Sequence, residues 1–312
     1  MKDDMNNDLI LHHYDGSPFS EKVRWMLGFK GLAWQSVKVP VIMPKPDVVA
    51  LTGGYRKTPF MQVGADVYCD TALIARLLEQ RAPTPSLFPA SAPLAPILAQ
   101  WADSTLFWTV IPYTMQPAGV AQVFAGVAPE VLKAFAADRA PFTAGMRRST
   151  AVDAAANLAG YAGRLNAQLA DGRHFLCGPD ASVADFAVAH CLWYVKRGGT
   201  VADILAPFEA LQAWYARVQA FGHGTPTKLG SADAIAIAAA ATGHAPTQVR
   251  AGLGFEAGQA VTVTAIDYGC DPVAGTLVGL SHDKVVISRS DERAGTVHLH
   301  FPRAGFQVKA EK

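Results

Sequence analysis

With 312 residues the chain is too long for one typical core, so two or three domains are expected. Apolar residues make up 50% and charged residues 17%, which excludes a disordered chain, and a formal net charge of +1 offers no overall field to nucleic acid or an anionic membrane. The cysteines Cys69, Cys177, Cys191 and Cys270 form no Cys-x-x-Cys pair, which excludes a zinc ribbon and a dithiol redox motif and suits a reducing compartment.

Met1 to Asp8 is polar and carries Asp3, Asp4 and Asp8, so no secretory signal is read there. No uncharged apolar run is long enough to cross a bilayer, and a cytoplasmic soluble protein is expected. Leu9 to Leu11 read as a buried strand ended by the turn residues Asp15, Gly16 and Ser17. Ser17 then Pro18 is the pattern of an N-cap with proline in the first turn, and Val23, Met26 and Leu27 give the apolar face of a helix that stops at Gly31. Trp34 to Val39 reads as a strand. Pro40, Pro44 and Pro46 predict an irregular segment before a short helix near Asp47 to Leu51. Phe60 to Val63 and Asp66 to Tyr68 predict a tight hairpin around Gly64 and Ala65, followed by a helix from Thr71 through Arg81.

Pro83, Pro85, Pro89, Pro93 and Pro96 mark a connector. From Pro93 to about Gly222 helical periodicity dominates, with breaks expected at Pro112, Pro117, Pro129, Pro141, Gly172, Pro179 and Pro207. Within it Ser182-Val183-Ala184-Asp185 is a capping-box pattern. Gly224, Pro226 and Gly230 suggest a second connector before an alanine-rich helix, Ala232 to Ala241. The alternating runs Ala260 to Ile266, Gly275 to Leu280, Lys284 to Ser288, Thr296 to Phe301 and Phe306 to Lys309 then describe a small barrel or sandwich. The domains expected are 1–82, 92–228 and 229–312.

Three separated patterns carry the chemistry: Tyr14-Asp15-Gly16-Ser17-Pro18-Phe19-Ser20-Glu21-Lys22-Val23-Arg24, Lys57-Thr58-Pro59-Phe60, and Cys69-Asp70-Thr71-Ala72. In this order they resemble the thioredoxin-like N-terminal domain of the glutathione S-transferase family, above all its serine-type classes, over Leu9 to Arg81. The resemblance implies an α/β thioredoxin-like domain followed by an all-helical domain; the β-rich end is additional to it. It implies that Ser17, at a helix N-terminus, donates to the thiolate of glutathione and lowers the thiol pKa. Tyr14 is the alternative hydroxyl, since other classes use a tyrosine at the end of the first strand.

The same resemblance makes the Thr58–Pro59 bond cis, with the Thr58 backbone pairing with the cysteinyl part of glutathione. It puts Asp70 and Thr71 on the γ-glutamyl group and Lys45, Arg56 and Lys57 on the glycyl carboxylate. Trp108 and Tyr113 fall where the family lines its pocket for an electrophilic co-substrate, although an aromatic cluster of this kind reads first as plain core, and a homodimer is implied. From local pattern alone, Ser17 and Asp70 read equally as N-caps and Pro59 as a trans strand-starter. Ser17 and Ser20 stand where redox relatives carry cysteines, so a disulfide mechanism is not expected. His298 and His300 share a strand face and invite a metal with His282, but a solvated face is the preferred reading and no metal is expected. Glutathione conjugation of a small electrophile is the leading function, with isomerisation or dehalogenation that uses glutathione as a cofactor left open; a non-catalytic binding or scaffold protein whose β-rich end recruits a partner is the alternative.

Overall fold

The computed structural model describes residues 8–311; the polar stretch Met1 to Asn7, read above for a secretory signal, lies outside them. The first segment alternates β1 (Ile10–His13), α1 (Pro18–Phe29), β2 (Ala33–Lys38), α2 (Pro46–Thr52), β3 (Phe60–Val63), β4 (Asp66–Cys69) and α3 (Thr71–Arg81). β1 runs parallel to β2 and antiparallel to β3, and β3 pairs antiparallel with β4, the thioredoxin-like arrangement expected. Ser17 caps α1 by accepting from Ser20 N–H at 3.2 Å, with Pro18 in the first turn, as the sequence pattern requires.

Helices α4 (Ala95–Trp101), α5 (Phe107–Thr114), α6 (Pro117–Val123), α7 (Pro129–Arg139), α8 (Ala151–Leu169), α9 (Val183–Lys196) and α10 (Glu209–Gln219) form the helical part. Between α4 and α5 one π-helical stretch, Ala102–Leu106, keeps the chain helical, and Pro112 lies inside α5 rather than ending it. The capping box forms as expected: Asp185 accepts from Ser182 N–H at 2.8 Å, and its other oxygen accepts from Leu176 N–H and from the Trp214 indole. α9 is buried nearly throughout and is the axis about which α1, α4 and α5 pack.

The last segment holds β5 (Thr225–Lys228), α11 (Ser231–Ala240), β6 (Ala260–Ala265), β7 (Val273–Leu280), β8 (Lys284–Asp291), β9 (Gly295–Pro302) and β10 (Phe306–Ala310). The five expected runs are strands. They do not stand apart: β9 pairs in parallel with β4, Asp66 opposite His298, so a single sheet runs β10-β6-β7-β8-β9-β4-β3-β1-β2-β5. The stretch read as a second connector contains β5, an edge strand parallel to β2, where Pro226 is tolerated because an edge strand can spare an N–H. Close contact ties this return to α1: a Cβ on Gly28 would sit 2.1 Å from the Gly222 carbonyl oxygen. One core cluster joins α1 and α3 to the helical part; a second joins Val48, Leu51, Phe60 and Val67 to Ile235 of α11 and to β6–β10.

Candidate active site

The three sequence patterns meet at one end of the thioredoxin-like sheet. Ser17, 2% exposed, donates its hydroxyl proton to the Thr58 carbonyl at 3.3 Å while accepting from Ser20 N–H. That donation is long for an O–H bond, so the proton can be redirected at small cost. The Thr58–Pro59 peptide is cis, and Pro59 opens the way into β3. Tyr14 is half-buried; its carbonyl accepts from Ser17 N–H at 3.2 Å, and its ring packs into the second core cluster.

Asp70 caps α3 by accepting from Ala72 N–H at 2.9 Å, and it does so at φ 76° and ψ 139°, a region that costs a non-glycine residue backbone energy. Thr71 is buried, and its hydroxyl accepts from Lys22 Nζ at 3.0 Å. Lys22 is fully buried and also donates to Asp103 at 2.5 Å from the π-helical stretch. Burial pushes the Asp103 carboxyl up to about 6 against the pull of Lys22, and its second oxygen, Oδ1, has no hydrogen-bond partner. Sequence reasoning missed Lys22 and Asp103 because helices 81 residues apart bring them together.

Of the three cations expected on a ligand carboxylate, Lys45 is buried, and desolvation, with the charges of Arg139 and Arg56 adding, lowers its pKa to about 8. Arg56 pairs with Asp138 at 2.8 Å; Arg139 bonds the same carboxylate. Lys57 pairs with Asp267 at 2.6 Å, and its Nζ lies 4.1 Å from the ring centroid of Tyr268. Asp267 and Tyr268 lie in the β6–β7 connection, so the β-rich end reaches both the thioredoxin-like part and α5. Tyr268 stands 5.1 Å from Trp108 and 6.4 Å from Phe107, centroid to centroid, and burial drives its phenol pKa well up. Phe107 and Trp108 of α5 therefore pack against the β6–β7 connection. The Tyr113 hydroxyl donates to the Val201 carbonyl at 2.7 Å inside the helical part.

His282 does not join His298 and His300. Instead Asp66, His244 and His298 bring ligand-capable atoms within 4.8 Å of one another, the one such group found among the described residues. The His244 and His298 rings are stacked, 3.6 Å apart and 13° from parallel, so their in-plane lone pairs run side by side instead of converging. Asp66 is held by His300 Nε2 at 2.6 Å and by Ala245 N–H at 2.8 Å.

Residues 11–86 match the family model of the glutathione S-transferase N-terminal domain, and residues 121–217 match that of the C-terminal domain. Among solved structures, a GST-like protein from Pseudomonas syringae is similar over 98% of this chain and 100% of that one, at 40% identity and a TM-score of 0.81. FzlA from C. crescentus is similar over 68% of this chain and 88% of that one, at 25% identity and a TM-score of 0.51. A glutathione S-transferase from Methylobacillus flagellatus with glutathione bound shares the fold over 70% of this chain and 100% of that one, at 21% identity and a TM-score of 0.50. A search of curated proteins finds no match. The Pseudomonas match extends across the appended strands, so these strands are part of an architecture shared by the two chains.

Proposed function

The chain belongs to the glutathione S-transferase family, and from that premise we propose that it binds glutathione where the start of α1, the loop ahead of β3 and the start of α3 meet, and turns the thiol on a small electrophile. The observation that carries the reading is the 3.3 Å approach of the Ser17 hydroxyl to the Thr58 carbonyl, since it brings two of the three separated patterns into contact. Glutathione supplies the nucleophilic sulfur. Ser17 keeps its bond from Ser20 N–H and redirects its proton from Thr58 to the thiolate, aided by the positive end of α1. The Thr58 backbone pairs with the cysteinyl unit as one more strand would.

Asp70 accepts from the γ-glutamyl ammonium and Thr71 binds its carboxylate; the strained backbone at Asp70 and the unpartnered Asp103 oxygen both fit a polar ligand group arriving there. Lys45, Arg56 and Lys57 face the glycyl carboxylate. Trp108 borders the electrophile, and no role in that pocket is proposed for Tyr113. The glutathione-bound Methylobacillus structure, with the same fold, supports this placement.

Calorimetric titration with glutathione and a conjugation assay test the proposal. Saturable binding and turnover are expected, and Ser17→Ala should lower the rate roughly 10- to 150-fold with the fold intact, the loss of one hydrogen bond of about 1.5–3 kcal/mol to a charged group. Failure of the purified protein to bind glutathione would refute it. Two observations favour a second reading, a non-catalytic binding or scaffold protein with the appended strands as its recognition surface: Ser17 is already satisfied on both sides, and Lys57 is paired within the chain. Loss of turnover in a well-folded Ser17→Ala variant removes that reading.

A further inference from the structure

The segment between β6 and β7 touches all three parts of the molecule. It leaves and re-enters the appended strands, its Gly269 N–H donates to the Phe142 carbonyl of the helical part at 3.2 Å, and Asp267 pairs with Lys57 of the thioredoxin-like part. Gly269 has φ +56°, and a Cβ there would sit 3.2 Å from the Phe142 ring and 3.5 Å from the Lys57 side chain, so the segment is closely fitted against both neighbours. Tyr268 is its anchor, set among Phe107, Trp108 and Phe142 with the Lys57 ammonium over its face. Nothing in the transferase-like part of the fold requires such a segment; it belongs to the appended strands alone.

The consequence falls on Lys57. Its side chain is 10% exposed and its charge is already met by a carboxylate of the same chain, whereas Asp267 is 43% exposed. Because Asp267 stays open to water it can be exchanged, yet any incoming carboxylate must displace it from Lys57 and gains only the difference. We propose that Asp267, held in place by Tyr268, is a built-in rival of the ligand's carboxylate for Lys57, and that the β6–β7 segment thereby sets how strongly the site prefers a thiol peptide ending in a carboxylate. The inference rests on the glutathione reading above and adds to it a residue that controls specificity from the appended strands.

The test compares two probes, glutathione and its analogue with a glycyl carboxamide, by calorimetry on the full chain. In Asp267→Ala the affinity for glutathione is expected to rise about threefold to tenfold while the carboxamide stays within about twofold, because only the carboxylate uses the freed cation. Asp267→Asn, which keeps the side-chain shape, should act in the same direction. In a Lys57→Ala background, Asp267→Ala should no longer change the ratio of the two affinities. Equal change for both probes, no change, or weaker glutathione binding in Asp267→Ala would overturn the proposal and leave the glutathione reading standing. If no variant and not the parent protein binds glutathione, the functional reading itself fails and the proposal with it.

Discussion

Asp70 is the one non-glycine residue with positive φ among the described residues, and it caps α3 at the point where a ligand's amino group is expected. Backbone strain of this kind, of order 1–3 kcal/mol, persists only where the surroundings enforce it, and here the cap to Ala72 N–H offsets part of it. Asp70→Asn keeps an acceptor for that N–H and the same backbone demand but removes the charge. Its thermal midpoint should stay within about 2 °C of the parent's while glutathione binding weakens at least roughly tenfold, the loss of a charge-assisted bond. A variant that melts early and binds normally would make Asp70 a cap and nothing more. The patterns around Ser17, Thr58 and Asp70 were legible in the sequence because each is local: a cap, a proline and a helix start within a few residues. Asp267-Tyr268-Gly269 stands out in the sequence without showing a role, and Lys22 and Asp103 show none there, since only the folded chain brings Asp103 to Lys22 and Asp267 to Lys57.

At the scale of elements, the Lys22–Asp103 pair links α1 to the π-helical stretch, with Thr71 of α3 as the third member. Lys22→Met would leave a carboxylate with no counter-charge in a largely buried place and is expected to destabilise the protein by about 2–4 kcal/mol in chemical denaturation. The double variant with Asp103→Asn should recover most of that loss. Additive effects would show that the two residues do not act as a pair. Sequence patterning found most of the elements, including all five appended strands: β6 alternates buried with more open residues, and the others are short β-branched runs set between Gly, Asp or Pro. It missed β5 because Thr225–Lys228 is exposed along its whole length, carries no alternation and contains a proline, and only the parallel partner β2 makes it a strand. It also expected Pro112 to end a helix that in fact continues past it, following a π-helical stretch that shifts the hydrogen-bond pattern upstream.

For the whole molecule the main surprise is continuity. The appended strands add to the free edge of β4, which both closes an exposed edge and carries the β6–β7 segment to Lys57. No pattern in the sequence reveals which edge a strand will join, so the alternating runs predicted the strands and not their place. The junction and the first strand are rich in buried neutral imidazole. Burial lowers His12 to about 4 and His13 to about 3, the latter helped by the Lys38 and Arg24 charges, and it also lowers His190 and His300.

An unfolded histidine takes up its proton near pH 6.5, while these folded ones do so only at lower pH. Stability is therefore full above about 6.5 and falls as the pH drops toward 4, at up to about 1.4 kcal/mol per pH unit for each such group. Asp103, raised to about 6, binds its proton more readily in the folded state and offsets about one histidine over the same range. Denaturation midpoints measured from pH 7.5 to 4.5 should decline steadily below 6.5; a flat profile to pH 5 would contradict these burials.

The claim on which the functional account turns is that Ser17 stabilises a sulfur anion at the start of α1. Ultraviolet absorbance of the thiolate, followed against pH for glutathione bound to the protein, measures this directly. The account expects the bound thiol to ionise at least about one pH unit below an ordinary thiol near 8.5 and to return toward that value in Ser17→Ala. Bound glutathione that titrates like the free peptide, or a lowered value that survives the loss of the Ser17 hydroxyl, would contradict it.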